Sequence, residues 1–328
     1  MTRNANTPDA RAIYALYTPG LISQAVRVAL LLDLFTPLAD GSLDAKALAS
    51  ATDCVPEGVR VLLDCLVAVG LLRLAEGRYE LTATAATFLV HGKPAYAGDW
   101  VLAETDPRFW EGVMGSVRTG ESAEGRFPWP QDAWLESYRS DRTEQALSLW
   151  RAAGINPEGD GPLALLDLAS GCGIKSMALA QARPGVHVTC VDRADVLEVA
   201  RDLASRLGVS PRVSYEEGDA LEIGLGQGRY DAALLGQITD YFTPAQNAEL
   251  FARLREALKP SGILVIDVPM SSEQPETGPS LVSLLTWAIS GGRAHSFKEY
   301  EAWLRQAGFR RIERPGQTWI TARPIASE

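Results

Sequence analysis

The stretch LALLDLASGCG, residues 163–173, joins an apolar run to an acid and then to a pair of glycines. The run is bounded by Gly161-Pro162 before it and Gly171 after it, and has the length and continuity of a strand covered on both faces. Gly171 and Gly173 permit a tight turn and the close approach of a ligand, and Ile174 to Ala182 then reads as a helix whose first amides point at that ligand. A dinucleotide fingerprint asks for a third glycine at position 176, where this chain has Ser176, so a nicotinamide site is only partly matched. The unit is expected to hold a nucleotide-type cofactor.

The order of the following elements strengthens that expectation. Val186 to Val191 reads as a second strand with Asp192 at its end, an acid about 20 residues past the turn and placed to accept ribose hydroxyls. Arg212 to Tyr215 is a third strand followed by Gly218-Asp219-Ala220, Tyr230 to Leu235 a fourth ending at Gly236-Gln237, and Gly262 to Asp267 a fifth. Apolar stripes at helical spacing lie between them, Val196, Val199, Leu203 and Leu207 in one gap and Leu250, Leu254 and Leu258 in another. Thr243 with Gln246, and Ser296 with Glu299, are spaced as capping boxes that open helices. Strands alternating with helices mean a parallel sheet with ligands at the carboxyl ends of its strands, so Asp167, Asp192, Asp219 and Gln237 gather on one edge. Phe309 to Glu313, the turn Arg314-Pro315-Gly316, and Thr318 to Ala322 form a hairpin closing the sheet.

The amino-terminal third is different. Helices are expected over 21–35, 43–51 and 56–72, followed by a hairpin whose glycine turn is Glu76-Gly77-Arg78, a winged-helix arrangement. A DNA reader needs cations on the third helix and wing, but Arg60 there faces Glu57 and Asp64, and Arg73 and Arg78 are matched by Glu76 and Glu80. With a net charge of -10 over 328 residues, a nucleic-acid partner is not expected. No apolar run is long enough to span a bilayer and the polar start lacks a signal peptide's apolar core, which points to a cytoplasmic protein without a membrane partner. Cys54, Cys65, Cys172 and Cys190 show no CxxC spacing and read as reduced.

Taken together, these segments resemble the S-adenosylmethionine-dependent methyltransferases of Rossmann-like fold, and more narrowly the small-molecule O-methyltransferase family typified by caffeate and acetylserotonin methyltransferases. That family's loop reads acid-x-Gly-x-Gly-x-Gly, and this chain offers Asp167, Ala169, Gly171 and Gly173. Ala169 replaces the first glycine, a modest departure if its backbone has negative φ. The segment VDRADVLEVARDLA over 191–204 resembles the family's second-strand segment, and Glu217-Gly218-Asp219-Ala220 its adenine-side segment. ALKPSG over 257–262 and EYEAWLRQAGF over 299–309 match its lead-in to the fifth strand and its last helix.

The resemblance implies an α/β fold: a class I methyltransferase sheet with a C-terminal antiparallel hairpin, plus a mainly helical N-terminal winged-helix domain. It also implies S-adenosyl-L-methionine as cofactor, held by Asp167, Gly171, Gly173, Asp192, Arg193, Asp219, Ala220 and Gln237, and a homodimer formed through the first domain. Three regions are expected: 1–100 for dimerisation, 101–160 as a helical connector contributing to the substrate pocket, and 161–328 for the cofactor and catalysis.

Chemistry departs from the family. Its usual base is a His after the fourth strand, and alignment through Leu234-Leu235 puts Asp240 there, in Thr239-Asp240-Tyr241-Phe242. A carboxylate near ~4 is a poor base for a phenol near ~10 unless its site is dry. Either Asp240 is a base of raised pKa assisted by another group, or the acceptor is acidic enough to need no strong base, or ordinary O-methylation is lost in favour of decarboxylation, hydroxylation or cyclisation at the bound cofactor. His295 is the one histidine placed near the same edge, as a second catalytic candidate or as a solvent-facing neighbour of an N-cap. Asp240 and His295 alone lack a third ligand, so no metal is expected. Phe109, Trp110, Trp134, Tyr138, Tyr241 and Trp287 are candidates to enclose a small aromatic or polyketide-like acceptor, with O-transfer favoured over C-transfer.

Overall fold

A computed structural model describes residues 10–93, 96–122 and 143–324. Among them, 10–109 form one compact unit, and 110–122 with 143–324 form another. The substrate candidates Trp134 and Tyr138 lie outside the described residues.

In the first unit, helices α1 (Ala10–Leu31), α2 (Ala45–Ala51) and α3 (Pro56–Ala68) precede strands β1 (Leu72–Ala75) and β2 (Arg78–Leu81). α1 begins well before the expected Leu21, running straight through Pro19-Gly20. A proline costs an interior helix one hydrogen bond, a loss that a helix of 22 residues outlasts. α1 stops at Leu31 rather than Phe35 because Asp33 turns left-handed (φ 49°) and the Leu34 amide folds back onto Ala29 O at 2.9 Å. The hairpin pairs Leu72 with Leu81 and Ala75 with Arg78, with Glu76 and Gly77 both at positive φ, the backbone a two-residue turn demands. Leu34, Leu48, Leu63, Leu66 and Leu72 form the core of this unit. Three further helices follow: α4 (Ala83–Phe88), α5 (Gly98–Glu104) and α6 (Pro107–Thr119), the last crossing the boundary between the units.

The second unit is built on a seven-stranded sheet. After α7 (Thr143–Ala152), the chain alternates β3 (Leu163–Leu168), α8 (Ile174–Ala182), β4 (Val186–Asp192), α9 (Ala194–Arg206), β5 (Val213–Glu217), β6 (Tyr230–Gly236), α10 (Pro244–Ala257) and β7 (Leu258–Asp267). Then come α11 (Thr277–Ser290), α12 (Phe297–Gln306), β8 (Phe309–Glu313) and β9 (Trp319–Pro324). Strand order is β5-β4-β3-β6-β7-β9-β8, parallel up to β7 and antiparallel at β9 and β8. The order reverses between β3 and β6, which opens a crevice above their carboxyl ends. Alternate residues feed two cores: Leu165, Leu234 and Val265 pack on the side of α8 and α9, while Leu166, Leu235 and Ile266 pack on the side of α10 and α12.

Both expected capping boxes are present, Thr243 with Gln246 opening α10 and Ser296 with Glu299 opening α12. The third strand starts one residue late, because Ser210–Arg212 form a 3-10 turn ahead of it. None of the described helices is long and apolar enough to cross a membrane.

Candidate active site

The turn after β3 is left-handed at alternate positions: Ala169 φ 54°, Gly171 φ 56° and Gly173 φ 74°. This corrects the expectation of a negative φ at Ala169. The chain must reverse at once for the Ser170 amide to reach Val191 O (3.1 Å) and the Gly171 amide to reach Asp192 Oδ2 (2.9 Å) at the end of β4. For an alanine that geometry costs roughly 1–2 kcal/mol. The outer side of the turn is clear, since a Cβ at Gly171 would meet nothing within 4 Å.

The neighbouring strand tips line up as the topology requires. Half-buried Asp192 accepts from the amides of Gly171 and Arg193 (2.8 Å), and burial raises its pKa. A carboxylate with two amide donors has lone pairs left for a ribose diol. Exposed Asp219 lies two residues past β5 and holds its own turn through the Leu221 amide (2.7 Å). The Ala220 carbonyl is taken by Arg253 (3.0 Å), and the side chain of Arg193 is exposed beside Asp195. Gln237, at φ 61°, donates its amide to Asp267 O at 2.7 Å.

Asp167 is turned inward instead. It is buried against Ser176 Oγ at 2.5 Å, and burial pushes its carboxyl up to about 7 despite that bond and nearby Lys175. Ser176 Oγ also lies 3.0 Å from Gly173 O, so a protonated Asp167 that donates to Ser176 satisfies both contacts with the protons present.

Lys175 is a residue that sequence reading missed. From the first turn of α8 it reaches the tip of β6, where a Cβ on Gly236 would meet its Nζ at 3.1 Å, and pairs with Asp267 Oδ2 at 2.8 Å. Thr318 Oγ1 donates to the other Asp267 oxygen at 2.9 Å. The signal was there: Lys175 is the one charge in IKSMALAQA, and Asp267 closes the apolar strand GILVID.

Asp240 sits in the loop between β6 and α10, 4% exposed, with Oδ1 sealed and lacking any hydrogen-bond partner. Burial pushes its carboxyl up to about 6, opposed by a backbone amide and the Lys175 charge. The end of α11 and the connector to α12 grip this loop by its carbonyls. Ser290 Oγ donates to Tyr241 O (2.7 Å), His295 Nε2 to Phe242 O (3.0 Å), and Gly292 packs so close that a Cβ would overlap Asp240 O and the Tyr241 carbonyl carbon.

His295 is therefore not solvent-facing. It is wholly buried, with its ring edge-on to Tyr300 and Trp303. A carbonyl only accepts, so the ring proton is on Nε2, and burial lowers the pKa and keeps the ring neutral. Its Nδ1 has no partner, so it is not bonded to Asp240. Among the described residues no group of three or more His, Cys, Asp or Glu is arranged to hold a metal ion.

Of the aromatic candidates, Trp110 on α6, Trp287 on α11 and Tyr241 share the second unit with Asp240, and Ser116 Oγ ties α6 to Ala288 O at 3.2 Å. Trp110 is exposed, Trp287 and Tyr241 are half-buried, and Phe109 is buried in the first unit.

A doubly wound sheet with this reversal, a glycine turn on one side of it and an antiparallel closing hairpin defines the class: a Rossmann-like methyltransferase fold. Residues 160–310 match the model of the O-methyltransferase domain, and 17–91 that of the O-methyltransferase dimerisation domain. Acetylserotonin O-methyltransferase of Mus musculus is 30% identical, the match covering 93% of this chain and 84% of that protein. The tetracenomycin polyketide synthesis 8-O-methyl transferase TcmO of Streptomyces glaucescens is 29% identical over 88% of this chain and 87% of its own. The crystal structure of human N-acetylserotonin methyltransferase in complex with SAM superimposes with a TM-score of 0.79 at 21% identity, covering 98% of this chain and 99% of that one. The chain belongs to the O-methyltransferase family, as an S-adenosylmethionine-dependent methyltransferase.

Proposed function

We propose that the chain methylates a hydroxyl of a small aromatic or polyketide-like acceptor, with Asp240 receiving the hydroxyl proton. The cofactor supplies an activated methyl on a sulfonium, so the protein's work is alignment, exclusion of water and proton removal. The observation that carries the reading is the buried Asp240 carboxylate with one unpartnered oxygen, in the loop that follows the strand beside the crevice. A relative named for polyketide 8-O-methylation supports the acceptor class.

In this reading Asp192 takes the ribose hydroxyls and Asp219 the adenine amine. Gly171 and Gly173 bring the backbone close to the cofactor, with Arg193, Ala220 and Gln237 along its flank. Asp167 props the turn from beneath. Trp110, Tyr241 and Trp287, with Phe109, Trp134 and Tyr138, would enclose the acceptor, and His295 fixes the loop rather than the proton. The division into 1–100, 101–160 and 161–328 follows the same scheme, and the first domain makes a homodimer.

The test is Asp240→Ala. Turnover should fall by about 10² or more while calorimetric affinity for S-adenosylmethionine stays the same. With a neutral acceptor, kcat/KM of the unmodified enzyme should fall tenfold per pH unit below about 6, where the carboxylate takes up its proton. Turnover unchanged in Asp240→Ala removes the residue from the chemistry.

A further inference from the structure

Resting on the reading of Asp240 as base, we propose that the acceptor hydroxyl is an acidic one, and that it shares a single proton with Asp240 in the loaded site. The chemical class is the enol of a 1,3-dicarbonyl, or a ring hydroxyl conjugated to a quinone or nitro group, rather than a simple phenol.

The charges around the tip of β6 carry the inference. Lys175 and Asp267 cancel, bonded at 2.8 Å, with Thr318 satisfying the second Asp267 oxygen. His295 is neutral, its one proton committed to Phe242 O. Asp167 is closed off against Ser176. Asp240 is left with neither an imidazole nor an ammonium bonded to it, and with one buried oxygen that no protein group among the described residues donates to. Asp240 is buried, 4% exposed, and burial this deep tolerates one uncompensated anion, not two. The acceptor therefore does not bind as an anion beside an ionised Asp240.

Proton transfer from a neutral acceptor to Asp240 leaves the total charge unchanged. The O–H bond breaks and the proton moves to the carboxylate. The acceptor oxygen forms its bond to the methyl carbon, the sulfur keeps the electron pair of the broken S–C bond, and Asp240 returns its proton to solvent as product leaves. What limits the step is the match of acidities. A simple phenol near ~10 against a carboxyl raised to about 6 leaves the anion populated about one part in 10⁴, whereas a hydroxyl within a unit or two of Asp240 is ionised at little cost.

The experiment uses the full-length protein and paired acceptors, one simple and one acidic, on benzene, naphthalene and anthraquinone frames; 1-naphthol with 4-nitro-1-naphthol and 2-hydroxy-1,4-naphthoquinone form the central set. Labelled S-adenosylmethionine should give kcat/KM at least 100-fold higher for the acidic members. Equal turnover of simple and acidic partners overturns the inference and leaves Asp240 as a base. Label transferred to none of them overturns the aromatic-hydroxyl reading itself, and the inference with it.

The second readout is optical. With sinefungin, whose ammonium stands in for the sulfonium, the pH at which bound 4-nitro-1-naphthol becomes its coloured anion should drop by a unit or more in Asp240→Asn, because the competing charge is gone. An unmoved titration overturns the shared proton.

Discussion

Asp167 is a carboxyl whose pKa folding raises through burial. Its pKa rises from about 3.8 in the unfolded chain to about 7 in the native one, with burial as the largest cause. The native state thus binds more protons than the unfolded state between those values, and stability from this group declines as pH climbs through that window. Replacing Asp167 with Asn keeps a donor for Ser176 and removes the titration. The variant's Tm relative to the parent should therefore rise between pH 5 and pH 8, by an amount reflecting a few kcal/mol. A difference that does not change with pH would mean that Asp167 stays ionised. Two residues along, Ala169 bears left-handed strain in the same turn. The glycine turn is thus held by the buried Asp167 below and, at its side, by the Ser170 and Gly171 amides donating to Val191 O and Asp192 Oδ2 of β4.

Among the elements, the end of α11 and the connector to α12 have the most leverage on the chemistry, because they bond two successive carbonyls of the loop carrying Asp240 and pack against a third. Gly292→Ala has no space to place its methyl except by moving that backbone. Overpacking of this kind costs typically 1–3 kcal/mol. The expected result is a kcat lowered more than tenfold with S-adenosylmethionine affinity preserved, since the turn after β3 is untouched; wild-type kcat in this variant would show the loop to be indifferent to its clamp. Features of this sort were hidden in the sequence. The strand LALLDL, both capping boxes and the Glu76-Gly77 turn were legible because their causes lie within a few neighbouring residues. The Lys175–Asp267 pair joins residues 92 positions apart, and the burial of His295 depends on Tyr300, Trp303 and Phe242 converging on it. Ala169 was misread because residue type suggests φ only weakly when a tertiary contact, here with Asp192, dictates the bend. The position of Asp240 was readable from alignment; its dryness was not.

At the scale of the whole molecule, the first unit leaves a broad apolar surface uncovered. Ile13, Tyr14, Leu16 and Tyr17 on α1 are exposed, and Val28 and Leu32 line a groove with Val55, just before α3, and Val61 and Leu62 of α3. Contiguous exposed apolar residues suit an interface, and the dimerisation-domain match spans α1 from residue 17 onward together with all of α3. Ile13→Asp with Leu16→Asp should convert the protein to a monomer in sedimentation velocity, with far-ultraviolet circular dichroism unchanged; a persistent dimer would place the interface elsewhere. A different lesson follows from the grip of Ser290, Gly292 and His295 on the Asp240 loop. Anyone grafting acceptor preference between relatives by exchanging residues 238–243 alone would separate a lock from its key, for the transferable cassette includes 290–295, some fifty positions downstream.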